Sequence, residues 1–165
     1  MLLKKILVIL ILTIISHKEP IIKENNISNI KSKEIIGSII IKKLNINMPL
    51  YDINNPKNNI EQNIQILKES ILPPNKNSIV FLAAHSGDSN ISYFNNLDEL
   101  KQKDIIQLKI NNKTYTYQIK SIYKQKKNGY INVNKEIEDQ LILTTCDPNS
   151  NKYQLIINST KKEFN

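Results

Sequence analysis

The chain has 165 residues, of which 40% are hydrophobic, and this is enough apolar material for one compact domain rather than a disordered tail. The formal net charge is +8, but all 23 basic residues are lysines spread along the chain. Sequence-specific nucleic-acid binding depends on bidentate arginine contacts, so the composition argues against a nucleic acid as the partner.

The N-terminal segment has the pattern of an export signal. Lys4 and Lys5 precede an apolar run from Ile6 to Ile15 that is interrupted only by Thr13. Positive residues before an apolar core predict that the lysines stay in the cytoplasm and that the rest of the chain lies outside. We therefore expect a signal peptide or, because no pair of small residues follows to mark a cleavage site, an uncleaved signal anchor.

These patterns divide the chain into three parts. Residues 1–17 form the predicted signal or anchor, which places the protein at the extracellular face of the cell membrane as a single-pass protein. Residues 18–33 are polar and include Pro20, which is typical of a tether between membrane and domain. Residues 34–160 form the predicted folded domain.

The folded part has the pattern of a mainly β domain. Short, Ile-rich and β-branched runs bounded by Asn, Lys and Pro are typical of strands. The predicted strands cover residues 35–44, 46–53, 78–84, 104–110, 113–123, 140–145 and 153–159. Apolar residues spaced three and four apart predict a short helix over 59–70 and a helical turn within 93–100. The polar, Lys-rich stretch 124–139 is expected to form a wall of a binding site.

Two potentially reactive residues each follow a predicted apolar strand. His85 follows the run 78–84, and Cys146, the only cysteine, follows the run 140–145. Taken alone, a single cysteine is ordinarily a small buried hydrophobe, and a single histidine is ordinarily a core residue. Together they suit thiol chemistry, because an imidazole can take the proton of a thiol and return it to a leaving amine.

The residues around both positions resemble the sortase family of cysteine transpeptidases. LAAHSG followed by YFNNLDELKQKDIIQL is similar to the histidine motif of that family, and LILTTCD is similar to its TLxTC motif. Upstream, IGSIIIKKLNINMPLYDI resembles the first two strands of a sortase. The resemblance runs in consistent order over residues 34–158.

The resemblance implies a closed, eight-stranded mixed β-barrel with short helices. Cys146 would attack the carbonyl of a sorting-signal peptide, usually at the Thr-Gly bond of an LPxTG-like sequence, and His85 would protonate the departing amine. A thioester would persist until an amine acceptor, on a peptidoglycan precursor or a pilin lysine, resolves it. The implied partners are this peptide, this amine and the membrane, and the chemistry needs neither a metal nor an organic cofactor.

One position departs from the family pattern. Sortases usually carry an arginine on the strand after the cysteine, where it contacts the substrate and the developing oxyanion, and the corresponding residue here is Gln154. Its amide can donate a hydrogen bond but brings no charge. Lys152 shares its face if the strand begins early enough, or else is a solvated surface residue. Thr145 is a candidate for the substrate pocket, or else an ordinary strand residue.

Two other readings remain open at the level of sequence. The missing arginine suits a catalytically degenerate sortase-fold protein that binds sorting signals without turnover. The net charge of +8 suits a basic surface protein that binds wall polymer or nucleic acid. A covalent adduct on Cys146 separates the first from an active enzyme, and binding to anionic polymers at low salt tests the second.

Overall fold

The structure is a computed structural model that describes residues 35–134, 136–147 and 149–163. The predicted signal segment and tether lie outside these residues. No helix within the described part of the chain has the length and apolar character needed to cross a bilayer.

Within the described residues the domain has eight strands, and they match the strands expected from the Ile-rich pattern, with one short addition. They are β1 (Ile35–Ile41), β2 (Ile46–Tyr51), β3 (Gln65–Ile66), β4 (Ile79–Ala83), β5 (Ile105–Ile110), β6 (Lys113–Lys126), β7 (Gln140–Asp147) and β8 (Ser150–Lys161). Single 3₁₀ turns lie at Lys42–Leu44 and Leu97–Glu99.

All eight strands belong to one sheet in the order β2-β1-β5-β6-β8-β7-β4-β3. Neighbours are antiparallel except β4 and β7, which run parallel. The edge strands β2 and β3 lie next to each other, so the sheet curls into a nearly closed barrel. The predicted mainly β fold with an eight-stranded mixed barrel is confirmed.

The core fills the barrel with the inward-facing side chains of alternate strand positions. On β6, Tyr115, Tyr117 and Ile119 are buried, as the alternation in the sequence predicts. The largest fully buried side chains include Tyr117, Phe94, Ile39, Ile41, Leu50, Ile64, Ile66 and Leu82. The interior of the barrel is therefore filled by packed side chains. Any binding site has to lie at the surface of the domain.

The predicted helix over 59–70 is wrong, because the described chain forms turns and the short strand β3 there. Asn58 explains the difference: its side-chain oxygen accepts the N–H of Ile66 at 2.7 Å, and its amide donates to the Ile66 carbonyl at 2.9 Å. Asn59 accepts the N–H of Glu61 at 2.9 Å. Hydrogen bonds from side chains to the backbone compete with the backbone hydrogen bonds of a helix. Here they prevent a helix although the apolar residues have helical spacing.

The helical turn predicted within 93–100 is present as one 3₁₀ turn, Leu97–Glu99. The side chains that define its apolar face, Phe94, Leu97 and Leu100, are buried as expected. The spacing therefore identified both the turn and its buried face.

Candidate active site

The parallel pair β4 and β7 sets the position of the site. Ala83, the last residue of β4, pairs with Thr144, and β7 continues to Asp147. Since parallel strands end at the same edge of a sheet, the next residues, among them His85 and Cys146, emerge side by side. The separation of 61 residues in sequence thus becomes adjacency in space.

Three hydrogen bonds fasten the two strand ends together. The Ala84 N–H donates to the Thr144 carbonyl at 3.4 Å, and the Thr145 hydroxyl donates to the Ala84 carbonyl at 2.8 Å. The Ser86 hydroxyl then donates to the Cys146 carbonyl at 2.8 Å. The backbone around the two reactive residues is therefore held as one unit.

His85 and Cys146 line a single surface groove of about 620 Å³. The thiol of Cys146 is exposed, so it is accessible to a ligand in the groove. The other walls are mostly apolar and include Ile60, Leu67, Phe81, Ala83, Tyr130 and Ile131. An open, largely apolar groove with a thiol and an imidazole suits an extended peptide better than a polyanion.

His85 has a carboxylate partner that the sequence did not reveal. Its Nε2 lies 3.2 Å from Oε1 of Glu61, a residue from the turn region before β3. The Phe94 N–H donates to the His85 carbonyl at 3.0 Å and fixes its backbone. The sequence contains no sign of this contact, because the segment around Glu61 was predicted to be helical. No motif or regular spacing connects Glu61 with His85.

A lysine ammonium contacts the sulfur of Cys146. The Lys127 Nζ donates to the Cys146 Sγ at 3.2 Å, and Lys127 also lines the groove. In the sequence, Lys127 is one of several lysines in the stretch 124–139, whose first residues belong to β6. Its neighbours Lys124 and Lys126 look the same in sequence, so no local signal distinguishes the one that reaches the thiol.

Asp147 directly follows Cys146 but has a partner of its own. Lys124 donates to it at 2.9 and 3.0 Å for the two carboxylate oxygens. That hydrogen bond, opposed by burial, holds the pKa of Asp147 below its usual value. The negative charge next to Cys146 in sequence is therefore compensated by Lys124.

Gln154 lies directly opposite Cys146 in the antiparallel β7–β8 pair and lines the groove. Its side-chain amide donates to the Tyr130 carbonyl at 3.4 Å. Thr145 also lines the groove, and its hydroxyl is committed to the Ala84 carbonyl. Lys152 does belong to β8, which begins at Ser150, but its exposed side chain is not among the groove residues.

The model of the sortase domain matches residues 39–162 of the chain. The protein belongs to the sortase family. Sortases are cysteine transpeptidases, and this sortase has Cys146 as its only cysteine.

Solved sortases share the fold over most of their length. Sortase C1 from Streptococcus agalactiae is 29% identical with a TM-score of 0.70, covering 83% of this chain and 72% of that one. A lid mutant of sortase A from Corynebacterium diphtheriae is 23% identical with a TM-score of 0.67, covering 79% and 72%. Sortase C from Streptococcus pneumoniae is 24% identical with a TM-score of 0.67, covering 80% and 70%. No curated protein matches the sequence.

Proposed function

We propose that this sortase cleaves an LPxTG-like sorting signal through a thioester on Cys146 and transfers the acyl part to an amine. The observation that carries the proposal is the placement of His85 and Cys146 at the adjoining ends of β4 and β7, in one groove. The exposed thiol supplies a nucleophile, and the imidazole supplies the proton carrier.

In the first half of the reaction, the thiolate of Cys146 attacks the carbonyl carbon of the scissile peptide bond. The resulting tetrahedral adduct collapses as the C–N bond breaks, and His85 gives its proton to the departing amine. In the second half, an acceptor amine attacks the thioester, loses a proton to His85 and displaces the sulfur as a thiolate. The cycle leaves Cys146 and His85 as they began.

The lining of the groove is evidence for a peptide substrate with at least one apolar side chain. Its walls carry aliphatic and aromatic side chains, among them Ile60, Leu67 and Phe81. Burial of one Leu-sized side chain there contributes about 1.5–3 kcal/mol to binding. This fits the apolar first residue of an LPxTG-like signal.

The membrane location is part of the same proposal. Lys4 and Lys5 before the apolar run of residues 6–15 support an N-terminus in the cytoplasm and a catalytic domain at the extracellular face. Exported proteins with C-terminal sorting signals would then meet the domain as they emerge from the membrane.

Turnover of a labelled sorting-signal peptide library by the purified full-length chain tests the function. Each reaction is run with either a peptide bearing an N-terminal glycine, as a peptidoglycan cross-bridge mimic, or a peptide bearing an internal lysine. We expect a ligated product with one acceptor class and none from Cys146→Ala. A folded wild-type chain that binds library peptides but never cleaves them would instead establish the degenerate binder.

A further inference from the structure

The sheet holds the backbone of Lys127, so its side chain reaches the sulfur of Cys146 from a fixed position. It directly follows the last residue of β6, and its N–H donates to the Lys152 carbonyl on β8 at 2.9 Å. Its ammonium donates to the Cys146 Sγ at 3.2 Å. The contact thus joins the end of one strand to the nucleophile on another.

The turn after Lys127 is fixed by hydrogen bonds from β6 and from β8. Gly129 has a φ of +82°, a left-handed conformation that favours glycine and lets the chain reverse there. The Tyr130 carbonyl then accepts hydrogen bonds from the side-chain amides of Gln125 on β6 and Gln154 on β8. Gln154 therefore helps to fix the turn that follows Lys127.

We propose that Lys127 is the cationic catalytic residue of this active site, taking the charge-stabilising part for which β8 contributes only the uncharged Gln154 to the groove. The inference rests on the proposed transpeptidase function and assigns a residue to it. The ammonium stabilises the thiolate of Cys146 before attack. It stabilises the oxyanion afterwards.

Three other basic side chains close to the site are placed differently. Lys124 pairs with Asp147 at 2.9 Å, and the imidazole of His85 lies against Glu61. Lys152 is not among the residues that line the groove. Among the described residues, Lys127 is the one whose ammonium is recorded in contact with the sulfur.

The chemistry balances without a further reactant. As the S–C bond forms, the negative charge leaves the sulfur of Cys146 and develops on the carbonyl oxygen. The ammonium of Lys127 has three N–H donors, so a donor next to the sulfur can serve that oxygen as the charge moves. Lys127 keeps its proton throughout, while His85 carries the proton that the leaving amine takes. Donors of this kind contribute about 10²–10³-fold to the rate.

The test is the rate at which Cys146 in the full-length chain reacts with iodoacetamide at pH 7, for wild type, Lys127→Gln, Lys127→Arg and the neighbouring control Lys126→Gln. The reagent is uncharged, so its rate reports the thiolate and not attraction to the lysine. Cys146 is the only cysteine, so the total alkylation belongs to it. Because no peptide is involved, the result does not depend on whether sorting signals are cleaved.

We expect Lys127→Gln to slow alkylation about tenfold or more, with Lys127→Arg restoring the rate and Lys126→Gln leaving it unchanged. Thermal unfolding of the variants checks that the exposed substitution leaves the fold intact. A wild-type rate for Lys127→Gln, or a rate for Lys127→Arg as slow as that of Lys127→Gln, would overturn the proposal. In peptide turnover, Lys127→Gln should lower kcat with little change in KM. A wild type without turnover but with Lys127-dependent alkylation would overturn the proposed function and, with it, the oxyanion role of Lys127, while the stabilisation of the thiolate would stand.

Discussion

The hydroxyl of Ser86 donates a 2.8 Å hydrogen bond to the main-chain carbonyl of Cys146. The residue after the histidine is thereby tied to the backbone of the cysteine itself. The bond continues the β4–β7 pairing past the last paired residues, Ala83 and Thr144. The position of His85 relative to Cys146 is therefore fixed by the sheet and not by the loops that follow it.

Removing this tie should impair turnover more than stability. Ser86→Ala is expected to lower kcat several-fold because His85 and Cys146 lose a shared constraint, while the free energy of unfolding changes by about 1 kcal/mol or less. Steady-state kinetics and urea unfolding measure the two effects. Ser89→Ala, in the same loop but without a bond to β7, is the control, and equal losses of activity in both variants would contradict the prediction.

The Glu61–His85 contact should orient the imidazole without stabilising the fold. The Glu61 side chain is 69% exposed. A contact between charged groups that is so exposed to solvent contributes little to the stability of the fold. We expect Glu61→Ala to lower kcat by about threefold to tenfold with an unchanged melting temperature. Glu99→Ala, at another exposed carboxylate, is the matched control. Full activity of Glu61→Ala would show that the contact has no part in turnover.

Asp139 gives a pH dependence of stability. Burial alone raises the pKa of its carboxyl, but hydrogen bonds from Lys161 and Ser78 outweigh burial and lower the pKa below its usual value. A carboxyl whose pKa is lower in the folded state stabilises the fold above its unfolded pKa, and this is lost as the pH falls through the folded pKa. Asp139→Asn should therefore destabilise the domain by about 1–3 kcal/mol at pH 7.

Asparagine also suits the backbone at this position, where φ is +50°, so the substitution isolates the charge. Unfolding measured between neutral and strongly acidic pH should show the two proteins converging as Asp139 becomes protonated. A difference that stays constant or grows toward acid pH would contradict this account.

Asn58 is predicted to be a structural residue. Its buried side chain makes both hydrogen bonds that the backbone of Ile66 needs. Asn58→Ala leaves that N–H and carbonyl without these partners, which should cost about 2–4 kcal/mol, as each buried unpaired group costs about 1–3 kcal/mol. Urea unfolding measures the loss. Asn59→Ala, which removes an exposed turn bond, should cost less than half as much, and a similar loss in both would refute the role of Asn58.

The sequence predicted most of the strands because their signal is local. The alternation of Tyr115, Tyr117 and Ile119 and the apolar runs before His85 and Cys146 depend only on neighbouring residues. The helix over 59–70 failed because the side chain of Asn58 reaches eight residues ahead to Ile66. Apolar spacing contains no information about such a bond.

The two additional site residues were missed for a related reason. Glu61 meets His85, and Lys127 meets Cys146, only after the sheet has brought distant segments together. Gln154 was singled out from the sortase resemblance, because it occupies the position where the family usually carries an arginine, and the structure places it opposite Cys146. Lys127 had identical neighbours, Lys124 and Lys126, so only the fold shows which lysine reaches the sulfur.

The central claim is tested most directly by the intact mass of the full-length chain after incubation with a sorting-signal peptide and no acceptor amine. An active sortase should gain the mass of the acyl fragment on Cys146, lose it on treatment with hydroxylamine, and gain nothing in Cys146→Ala. Failure of the folded wild-type chain to form any adduct with peptides that it binds, or formation of the same adduct by Cys146→Ala, would contradict the account.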